Sequence, residues 1–129
     1  MLMANNEDAY TLSDEEKSKL KFRVAQSNII YDLIDKELEF ANERFGGFNS
    51  LHEAYAVVLE EYEEMMEEVE SVTAELDILW KRTKSADDSP QQREISQHNL
   101  MRMKRYAVAL IMESIQLGAM IEKTTEMYR

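Results

Sequence analysis

The sequence predicts an all-α protein, a bundle of three long helices completed by oligomerisation. Three observations carry that prediction. Glycine and proline are scarce, three and one among 129 residues, which does not suit short strands joined by tight turns. Apolar residues recur at alternating intervals of three and four along three separate stretches, the signature of one helix face. Each stretch is also bounded by capping or breaking residues. With a hydrophobic fraction of 44%, the chain is expected to form a single domain over residues 13–129, preceded by a flexible N-terminus of residues 1–12.

The first helix is expected to begin after Ser13, a capping residue, with Asp14, Glu15 and Glu16 set against the positive end of the helix dipole. Its apolar or near-apolar line runs Leu20, Val24, Ser27, Tyr31, Ile34, Leu38, Ala41 and Phe45. Gly46 and Gly47 then end it, because glycine tolerates the backbone angles of a helix stop. The second helix opens on Ser50-Leu51-His52-Glu53, a capping box in which Ser50 and Glu53 satisfy backbone donors reciprocally. Its line is Leu51, Tyr55, Val58, Tyr62, Met65, Val69, Val72, Leu76 and Leu79, and it is expected to stop near Lys84, before the turn-like SADDSP. The third helix starts at Ser89-Pro90, where proline's missing donor is harmless. Its line is Leu100, Met103, Ala107, Leu110, Ser114, Leu117, Ile121, Thr124 and Tyr128.

Rods of about 45 to 60 Å carrying continuous apolar stripes have more surface to hide than one chain can cover. The nine methionines include Met66, Met101, Met112 and Met120 off the main lines, which adds further apolar faces. A homodimer or homotetramer is the expected remedy.

The net charge of −11 argues against a nucleic acid polymer as partner and against electrostatic attachment to an anionic membrane. No apolar run approaches the roughly 20 residues of a membrane span. The opening residues lack the basic segment and apolar core of a secretory signal, so a cytoplasmic location is expected. There is no cysteine, which excludes disulfides, thiolate metal sites and cysteine nucleophiles. Two histidines, His52 and His98, are too few for a histidine-rich metal site. His52 reads as part of a helix start, Asn49 as a turn residue, and Trp80 as a packing residue.

The segment LEEYEEMMEEVE, Leu59 to Glu70, holds seven glutamates in twelve residues. Taken alone it reads as a solvated helix face, and like charges this dense repel one another. Helical phase divides them. Glu61, Glu64 and Glu68 each precede a core-line residue and share one shoulder of the apolar stripe, whereas Glu60 and Glu67 turn toward water. The third helix repeats this geometry, with Glu113 and Gln116 one residue before Ser114 and Leu117. Glu113 stands in an otherwise apolar stretch, YAVALIMESIQLGAM, where an unpaired carboxylate is costly to bury. One partner for it is a base such as Arg102 or Arg105. The other is a cation shared with Glu61 and Glu64. Oxygen ligands of this kind suit magnesium or manganese, and such an ion attracts phosphorylated ligands. Small Gly118 and Ala119 leave room nearby for another backbone or a ligand.

The segments LEEYEEMMEEV and MESIQLGAMIEK together resemble the MazG-like all-α nucleoside triphosphate pyrophosphohydrolases, in particular the small phage-associated type. The family pattern is E-x-x-E on one helix and E-x-x-D on a later one, jointly holding magnesium. Glu61-Tyr62-Glu63-Glu64 matches the first half, with Glu60 to Glu63 as an alternative register. Glu113-Ser114-Ile115-Gln116 matches the second half in part, with glutamine where the family has aspartate. The resemblance covers residues 48–123, and the interval between the motifs is longer than in compact members. It implies Mg2+, or Mn2+, held by Glu61, Glu64 and Glu113 with a carbonyl oxygen from Gln116. It implies Glu68 as a water-orienting base or further ligand, and a nucleoside triphosphate converted to monophosphate and pyrophosphate. Arg102, Arg105 and Lys123 are the basic residues placed to meet phosphate. Gln116 and the methionine-rich stripes favour the alternative, a non-catalytic helical interaction protein of a phage or prophage.

Overall fold

The computed structural model describes residues 11–129, and over these the protein is all-α, with three helices and no strand. Of the expected flexible segment 1–12, residues 1–10 lie outside the described residues. Helix α1 spans Asp14–Phe45. The Ser13 hydroxyl accepts from the Glu16 N–H at 3.1 Å, and the Glu16 carboxylate accepts from the Ser13 N–H at 3.4 Å. This is a complete capping box. At the other end Gly46 takes φ 69° and its N–H reaches the Asn42 carbonyl at 3.0 Å, closing the helix where glycine was expected to.

Helix α2 spans Leu51–Ser85 and helix α3 spans Pro90–Glu126. Ser50 caps α2 by accepting from the Glu53 N–H at 3.1 Å, but the Glu53 carboxylate accepts from Asn49 at 3.2 Å, one residue before the expected donor. Ser89 caps α3, accepting from the Gln92 N–H at 3.3 Å, with Pro90 in the first turn. α2 stops at Ala86, whose φ of 55° is left-handed, a conformation usually given to glycine.

The chain divides into two compact units, Met1–Leu33 and Ile34–Arg129. Every candidate site residue lies in the second. Within the first unit α1 is a helix whose apolar residues Leu20, Val24 and Tyr31 remain exposed, with an i,i+4 ion pair between Glu15 and Lys19 at 3.3 Å. The second unit holds the last turns of α1 together with α2 and α3. α2 and α3 form an antiparallel hairpin around a connection of residues 86–89.

Among the described residues the buried apolar side chains are few: Leu38 on α1, Ala54 on α2 and Ala119 on α3. Two alanines on facing helices let the backbones approach closely. Gly118 extends this, since a Cβ there would lie 2.8 Å from the tip of the Ile34 side chain. An Ala54→Leu substitution, at a position with 0% exposure, is expected to overpack the hairpin. It should cost about 1–3 kcal/mol, read as a lowered thermal midpoint.

The covered face of α2 is wider than the apolar line. Of that line Val58, Met65, Val69, Val72 and Leu79 are half-buried, while Tyr55, Tyr62 and Leu76 stay exposed. The residues one step earlier, Ala54, Val57, Glu61, Glu64, Glu68, Glu75 and Ile78, are buried or half-buried as well. The reason is packing. α3 is the one helix whose backbone lies close along α2 among the described residues, and its contact is centred between the apolar line and the glutamate shoulder. The inward glutamates therefore sit within the hairpin contact.

Candidate metal centre

About two turns of α2 and one of α3 supply the site. Residues spaced three or four apart stack on one helix face, so Glu61, Glu64 and Glu68 form a column along α2. From the facing column of α3 come Glu113 and, one turn on, Gln116. Glu61, Glu64 and Glu113 converge, with one carboxylate oxygen from each lying within 4.8 Å of the others, and all three residues are half-buried. Glu60, Glu63, Glu67 and Glu70 are exposed. The partition of the glutamate run into solvated and inward members thus follows the helical phase.

This cluster is electrostatically unfavourable by itself. Two full charges at the 4.8 Å limit repel by ~3.5 kcal/mol at an effective dielectric of ~20. Burial, then the Glu64 and Glu113 carboxylates, then Glu60 and a hydrogen bond with Glu64, lift Glu61 to about 7. Glu113 is raised by burial first and then by Glu64, with Glu68 and Glu67 adding to the effect. One oxygen each of Glu61, Glu68 and Glu113 is shielded from solvent and has no hydrogen-bond partner. Converging carboxylates, two of them (Glu61 and Glu113) with a shielded and unpartnered oxygen, are a donor set that could hold a hard divalent cation. The residues present therefore fit magnesium or manganese.

The remaining sequence candidates fall in different places. Glu68 lies one turn beyond Glu64, outside the converging trio but close enough to act on Glu113. Gln116 lines a cavity of about 430 Å³ that also touches Glu61. Lys123 lines the same cavity and is 6% exposed, its ammonium 4.5 Å from the centre of the Phe48 ring. Arg102 is not turned to the trio; its Nε donates to Glu75 at 2.8 Å. Arg105 is exposed, as are His52 and His98. Trp80 is 57% exposed, with Lys84 over its ring at 5.2 Å.

Two features went unread in the sequence. One is the cavity, where Phe45 and Phe48 from the α1–α2 junction meet Ala119 and Met120 of α3. The other is the polar group at Glu75. Asn99, 0% exposed, donates to the Glu75 backbone carbonyl at 2.9 Å and to its carboxylate at 2.6 Å. Asn99 and Arg102 share the inward phase of Glu113 on α3, and that spacing was the available signal.

Comparison with protein-family models, with curated proteins and with solved structures finds no match. The fold and site define an all-α chain with a three-glutamate cluster between two antiparallel helices. No helix among the described residues is long and apolar enough to cross a membrane.

Proposed function

We propose that the chain is a magnesium-dependent nucleoside triphosphate pyrophosphohydrolase that forms a (d)NMP and pyrophosphate. The observation that carries this reading is the convergence of Glu61, Glu64 and Glu113, two of which, Glu61 and Glu113, hold an oxygen that lacks a partner. Magnesium bound there would neutralise the triphosphate and polarise the phosphorus under attack. The chain's own residues do the rest. Glu68, shielded on one oxygen, accepts a proton from the attacking water or orients it. The adjoining cavity takes the nucleoside, with Phe45 and Phe48 as apolar faces and Gln116 as an amide for hydrogen bonding. Lys123, on the same wall, supplies the positive charge nearest the phosphates. Gln116 keeps the ligand set one charge short of the family pattern, which lowers affinity for the ion without removing an oxygen donor.

The test is release of pyrophosphate from a panel of ribo- and deoxynucleoside triphosphates with millimolar magnesium. Activity on at least one nucleotide, abolished by chelation, supports the reading; none on any member removes it. Binding to the folded state must also raise the thermal midpoint, so magnesium with a non-hydrolysable analogue is expected to stabilise the protein.

A second reading, a non-catalytic oligomeric module, draws on the exposed apolar faces. Tyr55, Tyr62, Leu76 and Trp80 on α2 and Val108, Ile111 and Met112 on α3 are all 46% exposed or more. Faces of this size on a soluble helix pair fit self-association into a homodimer or homotetramer. The two readings agree on oligomerisation and part on catalysis, which the pyrophosphate assay decides. A cytoplasmic location accords with either.

A further inference from the structure

We propose that Glu75, Asn99 and Arg102 form a register clamp that positions Glu113 opposite Glu61 and Glu64. The proposal rests on reading the carboxylate cluster as a divalent-cation site, and it concerns residues outside that cluster. Its basis is a shared register. Going from Glu64 to Glu75 is eleven residues along α2, and going from Glu113 back to Arg102 is eleven along α3. From Glu61 to Glu75 is fourteen, and from Glu113 back to Asn99 is fourteen. In an antiparallel pair, equal and opposite steps keep two residues face to face. The clamp and the cluster are therefore two instances of one pairing, about three turns or ~16 Å apart.

The contacts of the clamp are specific, and they lie far along the hairpin from the Arg82–Gln92 hydrogen bond beside the connection. Asn99 uses its amide on both the backbone carbonyl and the carboxylate of Glu75, and Arg102 takes the other carboxylate oxygen. A shift of one turn would detach all three bonds and leave a buried carboxylate without its base. The fully buried apolar residues of the pair, Ala54 and Ala119, set how closely the helices approach, whereas the clamp pairs named polar partners. A buried polar residue that fixes helix register at a cost in stability is the best-attested use of such groups. Here the need is plain: the mutual repulsion of Glu61, Glu64 and Glu113 pushes toward any register that separates them.

The experiment replaces the clamp by apolar side chains, Glu75→Leu with Asn99→Leu and Arg102→Met, and measures three quantities in the full chain. These are the thermal midpoint, Mn2+ affinity by electron paramagnetic resonance, and a spin-label distance across the hairpin. Labels go on Glu67→Cys and Val108→Cys, both exposed, in a chain that has no cysteine of its own. Labelled protein is diluted in unlabelled protein so that only distances within one chain are read. The expected result is an unchanged or higher midpoint, Mn2+ affinity reduced tenfold or more, and a distance distribution that broadens or splits. A stabilising role alone would lower the midpoint and leave the other two unmoved, and that pattern overturns the proposal. If the wild-type protein binds no Mn2+, the cation reading fails by itself, and the distance distribution alone decides the clamp. Should the triple variant not fold, Asn99→Leu is judged by the same readouts.

Discussion

Glu113→Gln is expected to make the metal-free protein more stable at pH 8 while abolishing stabilisation by magnesium and nearly all pyrophosphate release. The two effects have one cause. Glu113 is half-buried, beside Glu64 and acted on by Glu68 and Glu67, and it makes no ion pair among the described residues. Replacing its charge with a neutral amide of the same shape removes repulsion and lets the orphaned oxygen's neighbours relax, so the thermal midpoint rises. The same change removes one of three anionic donors. Loss of outer-sphere partners alone commonly costs 10–100-fold in metal affinity, so a direct ligand should cost at least about a hundredfold. If Glu113 were a structural ion-pair partner, the substitution would lower stability with and without magnesium. Thermal melts in chelator and in magnesium, alongside the pyrophosphate assay, separate these cases.

The second large effect is on the pH dependence of stability. Glu61 is lifted from an ordinary value of 4.5 to about 7 in the folded protein. Between those values the folded state keeps a proton that the unfolded chain has released, so stability falls as pH rises across that window. Glu113, shifted in the same direction, adds to the fall. Glu75 acts with the opposite sign. Its hydrogen bonds from Arg102 and then Asn99 lower it, so its contribution is present above 4.5 and is lost as pH drops below that value. The metal-free thermal midpoint should therefore peak near pH 5 and decline toward pH 8. Magnesium requires deprotonated carboxylates, so the gap between melts with and without magnesium should widen over the same interval. Glu61→Gln is expected to flatten the metal-free decline. A midpoint that climbs from pH 5 to pH 7 in chelator would contradict the placement of these charges.

How much of this was legible in the sequence depends on how local each feature is. The helices were legible because their signals are local: Ser13, Ser50 and Ser89 each cap a helix, and Gly46 ends one. The Glu61, Glu64 and Glu113 trio was legible because helical phase is arithmetic, and an acidic residue in an apolar stretch is conspicuous. What phase could not supply was which face of α2 meets α3. Of the apolar line, Val58, Met65, Val69, Val72 and Leu79 are half-buried but Tyr55, Tyr62 and Leu76 are exposed, and the two most buried residues of α2 are Ala54 and Glu75. Periodicity reports all the apolar surface a helix must bury, including what partner chains cover, whereas burial within one chain reports only its own neighbours. The Arg102–Glu75 bond illustrates the same gap, because the position of Arg102 near Glu113 in sequence says nothing of Glu75 across the hairpin. The cavity at Phe45 and Phe48 depends on how a loop folds back onto α3, and no local pattern encodes that.

The central claim is that Glu61, Glu64 and Glu113 hold one divalent cation, and a crystal grown with Mn2+ tests it most directly. An anomalous difference peak is expected roughly 2.0–2.5 Å from one oxygen of each carboxylate, and it should disappear in crystals of Glu113→Gln. A crystal at millimolar Mn2+ with no peak among these three residues, or with the ion bound elsewhere, would contradict the account.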